Sequence, residues 1–109
     1  MILIAALVAV APLSEDRAVM LTSKAMETLG PAARNGCLAY EIEDSSPARF
    51  DIAVREIHDQ RCGGDPAVMP VIERFRVGRS PLKLWRYDVV GDRYLPCRLT
   101  RAQQPVCTR

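Results

Sequence analysis

The chain is poor in several residue types that carry chemistry or membrane affinity. It has one histidine, one tryptophan, two phenylalanines and two lysines among 109 residues. A lone histidine, with no second pair of ligands at a recognised spacing, argues against a zinc centre. The formal net charge of +2 is too small to imply nucleic acid or an anionic membrane as a client. The longest apolar run, residues 2–11, is well short of the roughly 20 residues a helix needs to span a bilayer. No internal repeat or low-complexity linker occurs, and the length leaves no room for a second core. Thirteen arginines against two lysines is the one lopsided ratio, and it reads as codon bias rather than function.

What is present is a set of four cysteines, an even count in a small chain. That usage is typical of an oxidising compartment. The run Ile2–Ala11 has the length of a signal-peptide core, and Ala9-Val10-Ala11 offers a small-x-small cleavage pattern. No basic residue precedes it, and Pro12 would follow the cut. Residues 1–11 are therefore expected to be a signal peptide and residues 12–109 a single small α+β domain, periplasmic or secreted, with no stable membrane insertion.

The centre of the sequence is His58-Asp59-Gln60-Arg61-Cys62-Gly63-Gly64-Asp65-Pro66, between two strand-like runs. Adjacent glycines admit positive φ, which other residues resist. Asp65 followed by Pro66 reads as an N-cap with proline at the first helical position, good for one turn through Val68. Met69, preceding Pro70, is pushed back to extended backbone. The stretch is expected to form a tight, covalently anchored corner.

Upstream, Ser14 caps a helix predicted over about residues 15–29, with Glu15 and Asp16 in its first turn. Its stripe of small and apolar residues is Ala18, Leu21, Ala25, Met26 and Leu29, and Gly30-Pro31 stops it. Residues 37–42 and 50–57 alternate with period two around the turn Asp44-Ser45-Ser46-Pro47, giving a hairpin. Leu38, Tyr40 and Ile42 then share a face with Phe50, Ile52 and Val54, and that face should take the helix.

A second hairpin joins 71–77 to 82–88 across Gly78-Arg79-Ser80-Pro81. A four-residue loop sets Val77 opposite Leu82, Phe75 opposite Leu84 and Glu73 opposite Arg86. The other face pairs Arg76 with Lys83, Arg74 with Trp85 and Ile72 with Tyr87, placing a cation over an aromatic. After a Val89-Val90-Gly91-Asp92 turn, Tyr94 and Leu95 form a short strand or a loop. The expected architecture is a helix across a four-stranded antiparallel meander, stapled by disulfides. Four cysteines allow three pairings. Cys37–Cys62 is preferred because the two flank the first hairpin, which leaves Cys97–Cys107 to pin the tail.

The order of helix and meander resembles small PepSY-like and cystatin-like secreted modules. The motif His58-Asp59-x-x-Cys62-Gly63-Gly64-Asp65-Pro66-x-x-x-Pro70, followed by Arg74-Phe75-Arg76-Val77 and Tyr87-Asp88, is similar to one in a group of small exported Gram-negative proteins. That likeness covers roughly residues 36–96. The group brings no assigned activity, and hence no catalytic residues to carry over; likeness at the level of fold says little about function.

Three chemistries deserve weighing. A thiol nucleophile would use Cys62 with His58 as its base, but an exported protein consumes that cysteine in a bridge. A metal site would draw on His58, Asp59, Cys62 and Asp65, and acid–base work on Glu56, Asp59 and Asp65; both signals are weak. A basic strand face of Arg74, Arg76, Arg79, Lys83 and Arg86, with Trp85 and Tyr87 for stacking, suits single-stranded nucleic acid, a client that export argues against. The same face suits a protein better, since Trp, Tyr and Arg dominate binding hot spots. The sequence thus points to a non-catalytic interaction domain of the periplasm, of inhibitor or immunity type. Its partner-binding residues are Arg74, Arg76, Trp85 and Tyr87 with Gly63, Gly64 and Asp65; no catalytic residue, metal or cofactor is assigned. The alternatives are a PepSY-like regulatory module and a small Cys/His hydrolase.

Overall fold

The computed structural model describes residues 12–108, so the expected signal peptide lies outside the described residues. Helix α1 spans Glu15–Leu29. The Ser14 hydroxyl accepts from the Arg17 backbone N–H at 3.3 Å, which caps one of the otherwise unpaired first-turn donors. The helix buries Ala18, Leu21, Thr22, Ala25, Met26 and Leu29, the stripe expected plus one polar residue. Thr22 is tolerated there because its hydroxyl donates to the Ala18 carbonyl at 2.9 Å. Gly30 leaves the helix in extended backbone, and a 3-10 turn, Pro31–Arg34, follows.

Five strands then form one antiparallel meander in chain order: β1 (Leu38–Ser45), β2 (Arg49–Glu56), β3 (Val71–Arg79), β4 (Leu82–Asp88) and β5 (Arg93–Pro96). The expected four strands become five because residues 93–96 pair with β4, Tyr94 opposite Tyr87 and Pro96 opposite Trp85. Proline is tolerated at this position because β5 is an edge strand. A two-stranded ribbon, β6 (Arg98–Leu99) with β7 (Pro105–Val106), closes the tail. Among the described residues, no helix is long and apolar enough to cross a membrane.

One face of the sheet carries Phe50, Ile52, Val54, Phe75, Val77 and Leu84, all nearly inaccessible, against α1. Leu38, Tyr40 and Ile42 pack at the margin of this core, as their alternation implied. Glu73 and Arg86 lie on the same side at the sheet's end. Their bidentate ion pair at 2.8 and 3.0 Å is largely shielded from water.

The β3–β4 register differs from the expected one. Arg79 lies opposite Leu82 and Val77 opposite Leu84, so the connection is only Ser80-Pro81, with its peptide cis. The displacement is two residues, which leaves every side chain on the face assigned to it. Gly78 does not belong to the loop. It sits in the strand opposite Lys83, where a Cβ would approach the Trp85 ring to 3.4 Å and the Pro81 carbonyl to 3.2 Å. Glycine in a strand marks such close approaches. The shift also removes the expected Arg76–Lys83 juxtaposition of like charges.

Both disulfides, Cys37–Cys62 and Cys97–Cys107, are formed. Cys107 is buried, its backbone N–H donates to the Thr28 hydroxyl at 3.2 Å, and the tail is thereby clamped to α1. That helix and tail cover the core face; the opposite face of the sheet is built differently.

Candidate functional site

The outer face is assembled strand by strand. Alternation places Glu41 and Asp51 of β1 and β2, Arg55, Arg74 and Arg76 of β2 and β3, and Trp85, Tyr87 and Tyr94 of β4 and β5 on it. A bulge between Ile42 and Asp44 brings Glu43 to the same side. Three ion pairs cross the strands: Arg55 Nε to Glu41 at 2.9 Å, Arg74 Nε to Glu43 at 3.0 Å, and Arg76 Nε to Asp51 at 2.9 Å. Ala53, in the middle of this face, is fully buried. The small residue leaves room for the long side chains of both neighbouring strands to close over it.

The pairing explains the charge states. The hydrogen bond that Arg74 donates to Glu43 moves it further above its ordinary value, and the one that Arg76 donates to Asp51 does the same for Arg76. Burial holds the Tyr94 hydroxyl above the usual phenol range, with Asp51 adding to the effect. Tyr87 donates to Asp92, and this bond raises its hydroxyl likewise.

The expected cation over Trp85 is absent at Arg74. With the observed register Trp85 lies opposite Arg76, and the Arg76 guanidinium sits 4.2 Å from the centroid of Tyr94. Tyr94 in turn packs against Tyr87 at 5.4 Å in a tilted arrangement. Trp85 instead folds toward Gly78 and walls an apolar cleft of about 320 Å³ with Lys83, Leu84, Pro96, Cys97 and Leu99.

The face is less cationic than its arginines suggest. Arg79 and Arg86 belong to the core side: Arg79 donates to the carbonyls of Leu13 and Ser46 and lies over Phe50, and Arg86 holds Glu73. Of the five basic residues of β3 and β4, only Lys83 stands without a protein partner among the described residues. A polyanion thus meets three acid–base pairs rather than a free basic stripe, which weakens the nucleic-acid reading.

The central corner is built on Asp59 and two glycines. Asp59 accepts from the Cys62 N–H through its side chain at 2.7 Å and from the Gly63 N–H through its carbonyl at 2.8 Å. Gly63 and Gly64 have φ of 80° and 81°, the left-handed backbone expected of the pair. The His58 ring lies against Gly64, where a Cβ would come within 2.7 Å of it, and its Nδ1 is 2.9 Å from the Asp65 carbonyl. A carbonyl only accepts, so Nδ1 carries the proton in this contact. Asp65 accepts from the Ala67 N–H at 2.9 Å and closes one turn with Val68, a single turn rather than a helix. Cys62 is bonded to Cys37 and has no thiol to act as a nucleophile. Among the described residues, no three of His, Cys, Asp and Glu converge as metal ligands would.

The structure connects most of the residues singled out from sequence. Ile72 lines both the cleft of about 200 Å³ beside His58, Gly63 and Gly64 and the smaller one of about 70 Å³ beside Arg74 and Tyr87. From there the face runs along β3 through Arg74 and Arg76 to Trp85, at the far end from the corner. Ile72 and Gly78 are six positions apart in β3, roughly 20 Å at strand rise. Sequence reasoning missed Glu43, Asp51 and Tyr94. Alternation alone marks Asp51; Tyr94 needed the fifth strand and Glu43 the bulge. No family model, curated protein or solved structure matches the chain.

Proposed function

We propose that this chain is an exported, non-catalytic interaction domain whose outer sheet face and adjoining corner dock a protein of the periplasm, as an inhibitor or immunity-type protein does. The observation that carries this reading is the uncovered face itself. Trp85, Tyr87 and Tyr94 stand beside arginines already held in place by Glu43 and Asp51. Side chains fixed before binding lose less conformational entropy on docking, and aromatic and arginine residues are those that dominate hot spots. The two disulfides fit an oxidising compartment.

The test is retention from periplasmic extract by wild type and by a Trp85→Ala/Arg74→Ala variant, each shown to be folded by circular dichroism. The variant is expected to lose the proteins that the wild type holds. Identical retained sets would remove this face as the site.

A further inference from the structure

Seven large apolar residues are substantially exposed among the described residues, and five of them lie at one end of the sheet. Val68 and Met69 belong to the corner loop, Ile72 to the start of β3, and Val89 and Val90 to the β4–β5 turn. Antiparallel order puts the start of β3 and the end of β4 side by side, and Val89 lines the same small cleft as Ile72 and Arg74. Val89 is 78% and Val90 98% exposed, the most accessible of the large apolar residues described.

The tip that presents them is fixed rather than loose. Asp88 accepts from the N–H groups of Val90 and Gly91 through its two carboxylate oxygens, and Tyr87 holds Asp92 across the turn. Gly91 packs so closely that a Cβ there would lie 2.8 Å from Asp88 Oδ2. A held turn that exposes two adjacent valines is preorganised to bury them in something else.

Charge selects the occupant. Asp88 and Asp92 flank the tip, and Asp59 and Asp65 the neighbouring corner. Arg61 is turned back onto the carbonyls of Asn35 and Gly36, and Arg55 and Arg74 are paired with Glu41 and Glu43, which leaves Arg93 as the basic side chain beside the tip that neither an acid nor the neighbouring backbone holds. An acidic surround disfavours anionic lipid and favours a basic rim.

We infer that Val89 and Val90 form an inserting tip, which enters a cleft of the partner protein that has an apolar floor and a basic rim. The inference rests on the interaction-domain reading above and adds to it the element that penetrates the partner.

A benzophenone side chain at position 90, with position 20 on α1 as control, is irradiated in periplasmic extract of the source organism. The protein cross-linked only from position 90 is then purified, and its affinity is measured for wild type, Val90→Asp and Trp85→Ala/Arg74→Ala. Because Val90 makes almost no intramolecular contact, Val90→Asp is expected to keep the wild-type melting temperature. It is expected to weaken binding by about tenfold or more, as loss of a hot spot does, and wild-type binding should weaken as salt rises. Equal affinity of wild type and Val90→Asp overturns the inference. So does sedimentation of the wild type, but not Val90→Asp, with vesicles of phosphatidylcholine and phosphatidylglycerol. If Trp85→Ala/Arg74→Ala loses affinity and Val90→Asp does not, the face stands and the tip falls; if neither loses it, both fall.

Discussion

Gly63 and Gly64 share almost the same φ but not the same surroundings, and that difference makes a test. A Cβ at Gly63 meets nothing within 4 Å, whereas one at Gly64 would meet three atoms of the His58 ring at 2.7–2.9 Å. Gly63→Ala therefore carries only the strain of left-handed backbone, about 1–3 kcal/mol. Gly64→Ala carries the same strain plus a clash, and denaturant unfolding should show it as the less stable variant. His58→Ala in the Gly64→Ala background should recover the difference; equal stabilities of the two single variants would show that the ring moves aside freely. The left-handed pair could be read from the sequence, because glycine's freedom is a property of the residue. The His58 contact could not, because it depends on how the corner folds back on itself.

At the level of elements, local signals were legible and pairings less so. Helix α1 came from its stripe and its cap, both set by neighbours in sequence. Ser14→Ala should lower stability by about 0.5–2 kcal/mol in thermal or denaturant melts. An unchanged melt would mean that water caps the Arg17 N–H equally well. The β3–β4 register was displaced because glycine next to Ser80-Pro81 reads as loop, whereas Gly78 is a strand residue that makes room for Trp85. The fifth strand was ambiguous because four residues ending in proline carry little β signal of their own. They are held by β4 on one side and by the Cys97–Cys107 bridge that follows. Cys97→Ala/Cys107→Ala should cost about 2–4 kcal/mol. Hydrogen exchange should rise first across residues 98–107, while β1–β3 keep their protection. Uniform exchange across the sheet would show that the tail and the sheet unfold as one unit.

Seen whole, the domain has a dry face and a wet face, and its tyrosines report on both. Tyr40 packs at the margin of the core, and burial, with Glu27 adding to it, holds its hydroxyl above the usual range. Tyr94 is raised mainly by burial and Tyr87 mainly by its bond to Asp92, both on the outer face. The three shifts have one sign. In the unfolded chain each phenol gives up its proton near pH 10, while in the folded protein each holds it to higher pH. The unfolded state thus binds fewer protons in that window, and stability must fall as pH rises through it. Below about pH 10 this contribution is fully present. Unfolding midpoints measured in steps from neutral to strongly alkaline pH should therefore be flat with respect to these groups, then drop. Tyr40→Phe/Tyr94→Phe should flatten the drop, because phenylalanine keeps the packing and has no proton to lose. Tyr87→Phe should also flatten it, and it loses the Asp92 bond at every pH. An alkaline drop as steep in Tyr40→Phe/Tyr94→Phe as in wild type would show that neither face protects its phenol.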